Sequence, residues 1–169
     1  MEIRIRKTGQ VMYESEFRAH IASNGGPTWG TTTDEILDSL GADVVFEGPQ
    51  ATGGTVYQYS MRQGVEQIEG EWYTKYVLGP IFTNTTAEDG TVITAAQHEA
   101  AYKAQKDTDK AKAVRNERNS LLAATDWTQC KDIPDETSSE WAIYRQALRD
   151  VPEQSGFPWN VVWPTKPSS

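Results

Sequence analysis

The sequence predicts an α+β protein, on three observations. Apolar residues alternate with polar ones over much of residues 1–82, with glycine-containing turns between the runs. Two short amphipathic helix patterns fall in the same stretch. After Gly90 the pattern turns helical, with nine alanines from Thr91 to Ala124 and neither proline nor glycine among them. The expected organisation is an acidic α+β domain over 1–82, in which two short helices cover a small, mostly antiparallel sheet of five or six strands. A linker at 83–90, a long helix or spacer at 91–124 and a tryptophan-rich helical domain at 125–169 follow.

Ile3 and Ile5 alternate with Arg4 and Arg6, and Lys7-Thr8-Gly9-Gln10 reads as the turn to a second strand carrying Val11 and Tyr13. Phe17 and Ile21 stand four apart in a short helix that Asn24-Gly25-Gly26-Pro27 ends. A second helix starts at the capping-box spacing Thr32-Thr33-Asp34-Glu35, carries Ile36, Leu37 and Leu40, and ends at Gly41. Val44–Phe46, Thr55–Tyr59, Val65–Ile68 and Trp72–Leu78 are the next strand candidates. The loop 48–55 is glycine-rich but lacks the lysine and hydroxyl of a phosphate-binding loop, and a strand follows it, so it reads as a hairpin connection.

The segment 83–90 has linker composition. The helix after it would run on the order of 50 Å if unbroken. Its middle, Lys103 to Lys110, offers almost nothing to bury, which predicts an exposed rod there, and no sustained heptad supports a coiled coil. In the last third, Thr137-Ser138-Ser139-Glu140 has capping-box spacing ahead of a helix with Trp141, Tyr144, Ala147, Leu148 and Val151 on one face, stopped by Pro152. The flanking Asp126–Gln129 segment and the Phe157–Pro164 tail are too short to bury themselves and must pack on that helix, on a partner, or on both.

The net charge is −8, and residues 1–90 hold 13 Asp and Glu against 6 Lys and Arg. No continuous basic surface is available, which disfavours nucleic acid and membrane surfaces as partners. One cysteine, Cys130, rules out an intrachain disulfide and a cysteine-clustered metal site, and it reads as an inert thiol. His20 and His98 have no second ligand at metal spacing. No cofactor, no metal and no catalytic constellation is expected, and the protein reads as a non-enzyme. No apolar run is long enough to span a bilayer, and the amino end lacks a signal-peptide pattern, so the chain reads as unexported by that route.

The candidate site is aromatic. Trp141 and Tyr144 lie on the helix face, where a small core is the plain reading, and Trp127 and Trp163 are open to the same one. Phe157, Trp159 and Trp163 sit in an extended, proline-punctuated tail, where exposed rings are what an interface hot spot requires. Arg149 reads as part of a solvated face. Arg145 is either that or a charged anchor for a partner.

The run from Val114 to Leu122, Thr125-Asp126-Trp127-Thr128-Gln129, Asp132-Ile133-Pro134, Trp141 to Asp150, Gly156-Phe157-Pro158 and Val162-Trp163-Pro164-Thr165-Lys166-Pro167 resembles the phage tail assembly chaperone family and the related tail fibre assembly proteins. The likeness covers about 54 residues of 169 and rests on separated motifs in one order. The front half is also similar to the start of certain tail proteins from phages of cyanobacteria, in its Ile-Arg-Ile-Arg start and its Glu-Ser-Glu-Phe-Arg segment. Cys130 stands where the family would carry an apolar residue.

The resemblance implies a non-enzymatic chaperone in the host cytoplasm that binds a tail fibre or baseplate protein while the fibre trimerises. Trp127, Trp141, Tyr144, Arg145, Phe157, Trp159 and Trp163 are the expected contact residues, and a homo-oligomer would follow the trimeric symmetry of the fibre. The alternative is a permanent structural component of the virion tail. A sugar-binding role for the aromatic tail ranks third, because no paired polar cluster singles out a groove for it.

Overall fold

The computed structural model describes residues 1–168 and confirms the α+β class. Ser169, the end of the region read as 125–169, lies outside the described residues. The chain divides into two compact units, Met1–Ile81 and Phe82–Ser169.

In the first unit the strands β1 (Glu2–Ile5) and β2 (Val11–Tyr13) form an antiparallel hairpin whose turn places Gly9 at φ 74°. The helix α1 (Glu14–Ser23) follows directly, its start capped by Glu16, whose carboxylate accepts the Tyr13 N–H at 2.9 Å. The helix α2 (Asp34–Ser39) begins behind Thr33, whose hydroxyl accepts the Ile36 N–H, and the chain leaves it through Gly41 at φ 67°. The predicted capping spacing thus starts at Thr33 and not at Thr32, which has another role described below.

Strand β3 (Ala42–Phe46) pairs antiparallel with β1 and parallel with β5 (Glu71–Gly79), and β4 (Tyr59–Ile68) closes the outer edge, giving the order β2-β1-β3-β5-β4. Glu69 and Gly70, at φ 51° and 93°, make the two-residue turn between β4 and β5, the geometry that matches strand twist. Ile3, Phe17, Leu37 and Ala42 form the buried core, with Met12, Ile21 and Trp29 packed around it. The helices therefore bury the β1 and β3 side of one sheet face.

Two expectations for this unit are corrected. Thr55–Tyr59 is not a strand: Thr55 to Gln58 form a turn, in which the Gln58 side chain accepts from the Thr55 N–H, and only Tyr59 enters β4. Local side-chain bonding competes successfully with ladder pairing there. Val65–Ile68 is then the second half of β4, set off by a bulge that begins after Arg62 and contains Gly64 at φ 80°. The loop after β3 is also no hairpin connection, because β3 and β4 are separated by β5. It crosses the sheet instead, held where the Gly48 N–H donates to the buried Thr74 hydroxyl at 2.7 Å.

In the second unit, part of the segment read as linker is paired. Strand β6 (Thr85–Thr86) runs antiparallel to β7 (Val92–Ile93), around a turn with Gly90 at φ 83°. Val92 and Ile93 consequently lie outside the helix α3 (Ala95–Ala123), which starts at a capping box of Thr94 and Gln97. At 29 residues it is unbroken, about 44 Å long. A short 3-10 turn (Asp126–Gln129) leads to α4 (Asp135–Asp150), and another (Val151–Glu153) to the tail. Helix α4 starts two residues before the predicted Thr137, because Pro134 sets an extended entry and Asp135 and Glu136 complement the positive end of the helix.

The Gly30 to Thr33 loop depends on one carboxylate. Glu14 accepts from the Thr32 hydroxyl and from Arg18, and Arg18 reaches the Trp29 and Gly30 carbonyls at 2.7 and 2.6 Å. The Thr32 hydroxyl first and Arg18 second hold the Glu14 carboxyl below the usual carboxylate range. A depressed folded-state value contributes stability above the unfolded pKa that is lost as pH falls through the folded one. Thermal melts followed by circular dichroism should therefore show a steeper loss of stability below about pH 4 for the native chain than for Glu14→Gln.

Candidate functional site

Five of the seven aromatic and arginine candidates, Trp127, Trp141, Tyr144, Arg145 and Trp163, belong to one packed assembly in the second unit, centred on α4. Spacing puts Trp141, Tyr144, Arg145 and Leu148 on one stripe of that helix, and all four are buried. Trp141, Tyr144 and Leu148 pack against Leu121 and Leu122 of α3 and against Trp163 of the tail. The Trp141 ring meets Tyr144 edge-on at 5.8 Å and Trp127 at 5.7 Å, while Lys166 lies 5.5 Å above the same indole.

Arg145 is the polar centre. Only 7% exposed, it donates to the Leu122 carbonyl at 2.7 Å and the Thr125 hydroxyl at 2.8 Å through one terminal nitrogen, and to Asp126 at 2.6 Å through the other. Leu122 lies in the last turn of α3 and Thr125 just past it, and the guanidinium adds a donor from α4 to a Leu122 carbonyl that also accepts the Thr125 N–H at 3.1 Å and hydroxyl at 3.0 Å. Thr125 and Thr128 are buried too, and their hydroxyls are satisfied by backbone carbonyls at 2.7 to 3.0 Å. Of the two sequence readings of Arg145, neither described this: it is not a solvated residue, and the anchor it makes is to its own chain. Thr125 and Asp126 were missed as its partners. The available signal was an arginine on the apolar stripe of an amphipathic helix, which must find acceptors when buried. Arg149 is exposed and bonds Gln146 at 3.3 Å, in keeping with a solvated face.

The tail differs from the extended, exposed segment expected. Residues 154–160 are turns, with the Phe157 N–H on the Gln154 carbonyl at 3.0 Å and the Asn160 N–H on Gly156 at 2.7 Å. A Cβ at Gly156 would overlap the Asn160 carbonyl oxygen. The Gln154 amide also clasps the backbone N–H and carbonyl of Val162, both at 2.8 Å. Phe157, Trp159 and Trp163 are half-buried as a result. The other two candidates meet α3: Trp159 donates its indole N–H to Asp107 at 2.6 Å, and the Arg115 guanidinium sits 5.1 Å over the Phe157 ring.

The middle of α3, Lys103 to Lys110, is exposed as expected except at Lys103 and Asp107, which are half-buried. Asp107, Ala111, Val114 and Arg115 form a stripe of which Ala111 and Val114 are buried. Alanine counts in sequence as a helix former, and its role as a contact surface is invisible there.

Apolar surface remains beside this core. Ile143 is 73% exposed, Val162 75% and Trp127 50%. Ile143, Tyr144 and Ala147 of α4 face Pro164 and Pro167 of the tail across a groove of about 410 Å³, with Glu140 at its rim. Among the described residues no group of three His, Cys, Asp or Glu could hold a metal ion, and no helix is long and apolar enough to cross a membrane.

Removing the buried guanidinium takes away three hydrogen bonds, whereas an asparagine at 126 keeps an acceptor for it. Arg145→Met should lower unfolding stability by roughly 1–3 kcal/mol, since it removes the guanidinium hydrogen bonds to Leu122, Thr125 and Asp126 while the Leu122 carbonyl keeps its donors from Thr125. Asp126→Asn, at a side chain 69% exposed, should cost less than about 1 kcal/mol. Urea denaturation of both variants measures the difference.

No curated protein and no solved structure matches the chain. Residues 111–168, which take in the end of α3, the Arg145 centre, α4 and the tail, match the model of a family described as phage tail assembly chaperone protein, and the match points this part of the chain to a role in tail assembly.

Proposed function

We propose that the second unit binds a phage tail fibre protein during assembly, in the host cytoplasm, as a chaperone without catalytic activity. The family match to residues 111–168 supports the assembly role, and the description of that family names a chaperone and not a catalyst. The observation that carries the binding surface is the groove between α4 and the tail, with Ile143, Val162 and Trp127 exposed on a rigid base.

The physical case is complementarity of need. An unassembled fibre chain exposes apolar surface and unpaired strand edges, both prone to aggregation. A groove floored by Tyr144 and Ala147 and walled by prolines offers apolar contact at little entropic cost, because its walls are already held by the Gln154 clasp and the Trp163 packing. Phe157, Trp159 and Trp163 act in this reading as supports of that surface, as do Trp141 and Arg145 beneath it, while Tyr144 and Trp127 lend it ring area. An assembly with trimeric symmetry would follow from a trimeric fibre.

Co-expression of this chain with the fibre protein of its phage should raise the yield of soluble fibre trimer, and an unchanged yield would end the chaperone reading. Ile143→Asp should abolish the gain while shifting the variant's own stability by no more than about 0.5 kcal/mol, as befits an exposed position. Quantitative mass spectrometry of purified particles separates a transient chaperone, absent from the virion, from a resident tail component present in fixed ratio to the fibre.

A further inference from the structure

The first unit lies wholly outside the matched segment, and it carries a hollow of its own. The hollow measures about 200 Å³ and lies between α2, the end of β3 and the turn that opens β5. That is below the roughly 300–1,000 Å³ of pockets that enclose a small-molecule ligand, and suits one inserted side chain. Its apolar floor includes Leu37, Ala42 and Val44, with Phe46, 44% exposed, at one wall.

Charge decides what that side chain is. Arg6 lines the hollow but is already engaged, with Asp38 and Asp43, each at 2.7 Å, and Arg4 also reaches Asp43. These two arginines balance these two aspartates. Asp34 and Glu71, the other carboxylates of the lining, pair with no cation among the described residues, and Glu71 only accepts the Tyr73 hydroxyl at 2.9 Å. Two uncompensated negative charges therefore face a half-apolar hollow with an exposed phenyl ring. A divalent metal is disfavoured, since no three acidic or imidazole groups converge among the described residues.

The same unit already stabilises the matching arrangement within itself. The Arg4 guanidinium stacks 3.8 Å from the centroid of the Trp72 ring and reaches Asp43 at 3.4 Å, so a plane of delocalised positive charge sits between an aromatic face and a carboxylate. That Trp72 face is taken, and the aromatic wall left to an incoming group is Phe46.

From this we propose that the hollow is a second docking site, which takes an arginine side chain from a protein partner. The guanidinium would lie against Phe46 and bond Asp34 and Glu71, with its aliphatic stem over Leu37 and Val44. A planar fork with five donors exploits two carboxylates and a ring face better than a hydrated ammonium does. The inference is independent of the chaperone role of the second unit.

The test is a titration of the isotope-labelled full chain by amide NMR with N-acetyl-arginine methylamide, and with the lysine and leucine analogues as comparisons. Saturable shifts centred on Asp34, Phe46, Gly70 and Glu71 are expected for the arginine probe, at roughly millimolar affinity for so small a ligand. The lysine probe should bind several-fold more weakly, and the leucine probe should give no saturable shift. The double variant Asp34→Asn with Glu71→Gln, which keeps the size of both groups and an oxygen for Tyr73, should weaken arginine binding about tenfold or more. High salt should weaken it in the native chain, a reading that requires no variant. No saturable shift with arginine, equal binding by lysine or leucine, or indifference to both the double variant and salt overturns the proposal.

Discussion

A guanidinium removed from water must take hydrogen bonds from the protein, and around Arg145, whose two terminal nitrogens are bonded while its buried Nε is not, that requirement organises the second unit. Its two terminal nitrogens join the last turn of α3, through Leu122 and Thr125, to the 3-10 turn at Asp126. A helix end already met by the Thr125 N–H and hydroxyl gains a charged donor from the next helix. The position of α4 against α3 is thus tied to one charge, and the Trp141, Tyr144 and Leu148 stripe can then meet Leu121, Leu122 and Trp163. The hydrophobic cluster contributes the larger share of stability, and the arginine selects one geometry for it.

The tail shows how a short, proline-rich segment becomes rigid without joining a helix or sheet. Each of its rings has a separate restraint: Asp107 for the Trp159 indole, Arg115 over Phe157, and the apolar cluster around Trp163. Gln154 replaces a missing strand neighbour by bonding both backbone groups of Val162. A preorganised wall of this kind supports binding, because little ordering remains for a partner to drive. That wall stands beside exposed aliphatic surface at Ile143.

The first unit solves its sheet differently. Two short helices cover β1 and β3, while the crossing loop after β3 closes on Thr74 on the other side of the strands. Ion pairs fix its corners, with Arg62 and Glu2 bonded twice across the sheet at 2.7 and 2.6 Å. Most of its acidic excess has no such partner. A surface with uncompensated carboxylates next to an exposed ring gains most from a partner that brings the opposite charge on an apolar stem.

Local periodicity was sufficient for much of this protein. Alternation at Ile3 and Ile5, the four-residue step from Phe17 to Ile21, the stop at Gly41 and the stripe of α4 each follow from sequence, because each is fixed by neighbours a few residues away. The tertiary structure decided what depends on distant partners. It placed β4 at the edge beyond β5, paired Val92 and Ile93 with Thr85 and Thr86, and set the aromatic tail against Asp107 and Arg115 of α3. It also gave Arg145 its acceptors about twenty residues back along the chain. Spacing along a chain encodes which face a residue takes, but the group that meets that face is set by packing, and packing is a property of the folded whole.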